Sequence, residues 1–236
     1  MSSHRPELHI TAQHGVLEAP AGALFTGEQW HVFHQYRSQP DVKKNNWGHV
    51  VSADSPFNWA HRDDVLSAEA PEVQVRAGSV VAPRCGDEAE LFFTSVTDEG
   101  PSLHRALLTN LSGPQSDVRR EGSVVDAPVL GINKPQDFRS PCVVPGWADE
   151  DDRSEGHGGW LMLAVAGPMS APDLVMLSSH DQQSWTLDGP LAFHGDSGLA
   201  HHPILVSPRI IRLRDEVDGH VYDVLIVTVE ADGVDL

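Results

Sequence analysis

Ser52-Ala-Asp54-Ser-Pro-Phe-Asn-Trp59 returns later in the chain as Ser179-His-Asp181-Gln-Gln-Ser-Trp185. In each copy an apolar strand runs into Ser-x-Asp and a Trp follows within a few residues. A short strand comes next, Asp64-Val-Leu66 in the first copy and Pro190-Leu-Ala192 in the second. Asp54 and Asp181 are 127 residues apart, which divides into two units of about 63. Small antiparallel sheets repeated at such a spacing are the mark of propeller blades. The rest of the chain agrees. Trp30-His-Val-Phe-His-Gln-Tyr36, Gly78-Ser-Val-Val-Ala82, Leu91-Phe-Phe-Thr94, Trp160-Leu-Met-Leu-Ala-Val165, Leu174-Val-Met-Leu177 and Tyr222-Asp-Val-Leu-Ile-Val-Thr-Val229 are strand-length apolar runs bounded by Gly, Pro, Asp or Asn. No window holds a helical apolar period. The fold class expected is all-β.

Composition narrows the function. Sixteen Lys and Arg against 34 Asp and Glu leave a net charge of −18, which repels phosphate backbones and anionic lipid. Nucleic acid and membrane surfaces are therefore not expected partners; a neutral sugar is compatible. The opening MSSHRPELHITAQHG has no apolar signal core, so a soluble cytoplasmic protein is expected. Cys85 and Cys142 form no disulfide framework and read as small buried apolar residues. The acidic run Ala148–Gly159 reads as a solvated insertion, since adjacent acids do not give the alternating oxygens of a calcium loop. His201-His202 and His31-x-x-His34 lack a third ligand at zinc spacing, and no cofactor or metal is expected.

Chemistry enters through six landmarks in order. They are Val16-Leu-Glu-Ala-Pro-Ala-Gly22, Trp30-His-Val-Phe-His-Gln-Tyr36, Trp47-Gly-His-Val-Val-Ser-Ala-Asp54 with Trp59-Ala-His61, Ala77-Gly-Ser-Val-Val81, Asp137-Phe-Arg-Ser-Pro141, and Trp160-Leu-Met-Leu163 with Leu177-Ser-Ser-His-Asp181 and Trp185. This series resembles the N-terminal catalytic propeller of glycoside hydrolase family 32, the invertases, fructan hydrolases and sucrose-6-phosphate hydrolases. The resemblance implies a five-bladed propeller, shortened here to about four blades. No stretch of these residues matches the family's C-terminal β-sandwich, and residues 1–236 are expected to form a single propeller domain. Two arrangements are open at this point: an incomplete ring, or a ring whose open edge is covered by a second copy, since an exposed strand edge invites pairing.

The resemblance also implies retaining hydrolysis of a fructosyl bond, with a carboxylate nucleophile and a carboxylic acid ~5–5.5 Å apart. A third carboxylate stabilises the cationic transition state. At all three positions this sequence departs. Where the family reads WMNDPNG, the nucleophile position is Ala19; where it reads FRDP, the stabilising Asp is Ser140. Where the family reads ECPDLF, alignment on Pro208 places Val206 at the acid position, and alignment on Pro203 places His201 there. Glu18 and Asp137 are the fallback carboxylates, although strict strand alternation turns Glu18 away from the face of Ala19. Gln35, Trp47, Ser79 and Arg139 match the family's sugar-contact positions, with packing in the propeller core the plain alternative for Gln35 and Trp47. Two readings follow: a relative that has lost its catalytic carboxylates and binds a fructosyl or other small sugar, or a glycosidase whose carboxylates have moved.

Overall fold

The computed structural model describes residues 9–12, 14–52, 58–82, 87–125, 138–146, 159–195, 204–231 and 234–235. Among them every regular element is a strand, arranged in four antiparallel sheets. The first joins β1 (Val16–Phe25), β2 (Trp30–Arg37), β3 (Asn46–Ser52) and β4 (Ala60–His61), with β5 (Leu66–Ser67) also on β3. The second runs β6 (Gln74–Val81), β7 (Glu88–Thr97), β8 (Gly100–Thr109) and β9 (Asp117–Ser123). The third runs β10 (Arg139–Pro145), β11 (Trp160–Ala166), β12 (Asp173–Ser179) and β13 (Thr186–Pro190). The fourth joins β14 (Ile204–Arg214), β15 (Val221–Ala231) and β16 (Val234–Asp235). This meander order within each sheet is what consecutive hairpins produce.

Two compact units share these sheets: residues 1–99 with 105–122, and residues 100–104 with 123–236. The core of the first contains Phe33, Trp47, Leu91, Phe93 and Leu108, none with accessible surface. The second buries Leu163 and Val165 of β11 with Cys142, Leu174 and Leu205. Cys142 is a free thiol whose pKa burial raises, as a small apolar core residue's should be; Cys85 lies outside the described residues. The Ser-x-Asp repeat is a side-chain-capped turn in its second copy. Asp181 Oδ1 accepts the Gln183 and Ser184 amides, each at 2.8 Å, and Trp185 donates to the Gln182 carbonyl at 3.0 Å. Residues 53–57 of the first copy lie outside the described residues. The strand after Trp185 begins at once, at Thr186 rather than Pro190, because the turn delivers the chain directly into pairing with β12. Likewise, strand pairing after Trp59 falls at Ala60–His61 and Leu66–Ser67, leaving Asp64 and Val65 outside it.

One irregularity recurs. The first strand of every sheet carries a bulge, two residues facing one on its neighbour. On β6 Ala77 and Gly78 are the bulged pair, on β10 Ser140 and Pro141, and on β14 Ser207 and Pro208. On β1 there are two, at Glu18 and at Ala21. Gly78 is obligatory: a Cβ there would stand 2.0 Å from the Phe92 carbonyl oxygen. Ser140 and Ser207 have φ of 56° and 49°, left-handed backbone that few non-glycine residues adopt. Each is followed by proline, which has no N–H to lose from the interrupted ladder.

Candidate functional site

The bulges fall on the motif positions singled out in the sequence. On β1 the extra residue Glu18 breaks the alternation, so Ala19 faces Gln35 across the ladder and Gln35 in turn faces Trp47 on β3. The expectation that Glu18 turns away is corrected here. Its Oε2 accepts from Gln35 Nε2 at 2.5 Å, and Arg37 Nε and Asn45 Nδ2 also donate to it. Strict alternation does not survive an inserted residue. Gln35 is held at its other end too, its Oε1 accepting the Ala77 amide at 2.5 Å. That bond ties β2 to the β6 bulge, two residues from the buried Ser79. Arg76, beside that bulge, feels the Glu18 charge. Arg37 and Asn45 were not legible as partners of Glu18, because neither the spacing nor the apolar pattern signals a contact made through a bulge.

Trp47 has no accessible surface and meets the Phe93 ring edge-on at 6.3 Å between centroids. Among the described residues its indole N–H has no hydrogen-bond partner. It packs the core, the plainer of its two readings, and offers no face to a ligand.

In the second unit, Arg139 is buried at 4% exposure and its Nη1 donates to the Gly167 carbonyl at 2.8 Å. Ser140 follows in the β10 bulge. The strands β10 and β14 lie side by side, the Ile210 amide donating to Cys142 Sγ at 3.3 Å. Arg139-Ser140-Pro141 and Val206-Ser207-Pro208 thus place the same Ser-Pro bulge on neighbouring first strands. Val206 is half-buried. Asp137, His201 and Pro203 lie outside the described residues.

A cavity of about 140 Å³ in the first unit is bordered by His34, Tyr36, His49, His61, Arg62 and Asp64. Burial and the neighbouring His61 push His34 down to about 4. Burial, with His31, Arg62 and His34 adding to it, pushes His49 to about 3. His31 and His49 share one hydrogen bond at 3.1 Å, and the other nitrogen of each ring is buried without a partner. Both rings are therefore neutral in the folded protein at neutral pH. Unfolded histidines titrate near 6.5 and take protons that the folded rings refuse, so stability present above pH 6.5 is lost as pH falls towards 4. We expect a loss on the order of 3 kcal/mol, less than the full shifts imply because His34 borders a wet cavity. Urea midpoints at pH 7.5 and 4.5 check it, with His49→Asn flattening the profile; equal midpoints in the parent protein would refute the expectation.

A family model described as Glycosyl hydrolases family 32 N-terminal domain matches residues 9–232. An invertase of Wickerhamomyces anomalus is 26% identical over 84% of this chain and 36% of its own length. A levanase of Bacillus subtilis is 24% identical over 92% of this chain and 30% of its own. The β-fructofuranosidase of Schwanniomyces occidentalis, solved with fructosyl-erythritol, superposes with a TM-score of 0.73 at 18% identity, over 95% of this chain and 43% of that one. The sucrose-6-phosphate hydrolase of Lactobacillus gasseri gives 0.73 at 19% identity. The chain spans well under half the length of these relatives, and the structural likeness carries the fold, that of the family's propeller domain. The residues matched run through all four sheets and every bulge. This chain belongs to the glycosyl hydrolase family 32 N-terminal domains.

Proposed function

We propose that this chain is a carbohydrate-binding member of its family that has lost hydrolytic chemistry. The observation that carries the reading is what stands at the bulges. By the family resemblance, the nucleophile, the stabiliser and, on the alignment through Pro208, the acid fall at Ala19, Ser140 and Val206. Their side chains are a methyl, a hydroxymethyl and an isopropyl group. The shared Ser-Pro bulge at 140–141 and 207–208 favours that alignment. None of the three is a carboxylate, the group that retaining hydrolysis uses to attack the anomeric carbon and to protonate the leaving oxygen. What remains is polar scaffold: Gln35 and Ser79 in the first unit and Arg139 in the second, each matching a sugar-contact position by the family resemblance, with Trp47 packed in the core of the first. The β-fructofuranosidase of Schwanniomyces occidentalis was solved with fructosyl-erythritol, and a fructan exohydrolase of Cichorium intybus with 1-kestose, so a fructosyl ligand is the first to test.

The affinity is expected to be weak. A hydrogen bond to a charged acceptor is worth about 1.5–3 kcal/mol. Two carboxylates missing at Ala19 and Ser140 lower affinity by roughly a hundredfold or more. Calorimetric titration with fructose, sucrose and a short fructan should give millimolar binding, weakened by Gln35→Ala and by Arg139→Lys. Sub-micromolar fructose binding, or binding indifferent to both substitutions, rules this site out.

One observation favours a second reading. Glu18 reaches the Gln35 amide rather than turning away, so a carboxylate stands beside the nucleophile position after all. In that reading Glu18 is a relocated catalytic group; Asp137, the other fallback carboxylate, lies outside the described residues.

A further inference from the structure

We propose a second carbohydrate site, on the far end of the third sheet from Arg139 and Ser140, in the groove between Trp160 and Asp181. The register sets the separation. Arg139 pairs with Val165 and Pro145 with Trp160, so five residues of β11, about 17 Å of strand, lie between the bulge and the groove. The groove has a volume of about 380 Å³ and is lined by Trp160, Ser178, Ser179, His180, Asp181 and Thr186 among others. That volume falls within the range of small-ligand sites.

Three features select a neutral sugar ring. Trp160 is half-buried and lines the groove. It therefore presents an apolar face together with a donor at its edge. Asp181 is held rigidly, with Ser179 Oγ and the Gln183 and Ser184 amides all converging on Oδ1. These donors hold its pKa below the usual carboxylate range, and its Oδ2 is left open to accept from a hydroxyl. The other polar side chains of the lining are hydroxyls and an imidazole, beside Gly146 and Leu161, and no Lys or Arg is among the described residues that line the groove. A phosphate or carboxylate would meet Asp181 unpaired, whereas a sugar stacks its C–H face on the indole and gives a hydroxyl proton to Oδ2. This inference stands apart from the reading of the bulges, and its ligand need not contain fructose.

The test is calorimetric titration of the full chain with a short fructan and with maltohexaose, a neutral oligosaccharide free of fructose. Parent, Trp160→Ala, Asp181→Asn and Gln35→Ala proteins are compared. Asp181→Asn keeps the Oδ1 acceptor of the turn while replacing the open oxygen with a donor, so the fold is preserved. We expect at least one oligosaccharide to bind in the millimolar range, to lose detectable binding in Trp160→Ala, and to weaken about tenfold in Asp181→Asn. Gln35→Ala leaves this binding unchanged. If fructan binding fails with Gln35→Ala while groove binding persists, the bulge reading falls or stands without touching this one. No saturation by either sugar in the millimolar range overturns the proposal. So does an outcome in which neither sugar's binding is weakened by Trp160→Ala or by Asp181→Asn, whatever Gln35→Ala does to fructan binding.

Discussion

Sucrose and a short fructan incubated with the purified protein should release no reducing sugar above buffer, and Glu18→Gln should leave that blank unchanged. Removing a covalent nucleophile alone commonly costs about 10⁴–10⁶ in turnover. Here Ala19 offers a methyl group, and the positions equivalent to stabiliser and acid offer Ser140 and Val206. Glu18 is poorly placed to replace them. Gln35, Arg37 and Asn45 all donate to its two oxygens, and Arg37 neutralises its charge. A carboxylate so occupied has few lone pairs left for an anomeric carbon. Turnover of even ~1 s⁻¹, within the ordinary enzyme range, that disappears in Glu18→Gln would overturn this and establish the relocated site.

Trp47→Ala should lower the stability of the folded protein by about 3–5 kcal/mol, the usual range for deleting a fully buried aromatic side chain. The residue has 0% exposure, sits between β2 and β5 on the ladder of β3, and packs against Phe93. Trp47→Phe should cost far less, because the indole N–H it removes is already a buried donor without a partner. Urea unfolding of the two variants measures both values. If Trp47→Ala keeps the parent midpoint and abolishes sugar binding instead, the indole faces ligand and its assignment to the core is wrong.

The strands with continuous apolar runs were legible. β7, β11 and β12 are covered along most of their length, and burial on both faces erases polar alternation while leaving the run itself; β15 keeps its apolar run although Tyr222, Val224 and Ile226 are exposed. β9, Asp-Val-Arg-Arg-Glu-Gly-Ser, gave no such signal, since its burial alternates between exposed and half-covered and it ends its sheet's pairing order. The site was half legible. Motif order located the first strands, but alternation misdirected Glu18, because a bulge is a local insertion that pattern-reading with period 2 cannot hold. A signal was present: Pro20 and Gly22 inside one strand, where such residues mark irregular pairing. The histidines misled differently. His31, His34 and His49 read as polar letters and lie 95% or more buried; the neutral His49 ring stacks on both Phe33 and His31, as aromatic rings do.

The left-handed backbone at Ser140 and Ser207 bears on engineering. Aspartate and asparagine visit that region several-fold more readily than most side chains. A carboxylate can therefore be returned to position 140 by one substitution without asking the main chain to move. At Ala19 the β1 bulge already fixes the register against Gln35. The main-chain conformation at these two bulges is thus compatible with a wider choice of side chains than the two that stand there.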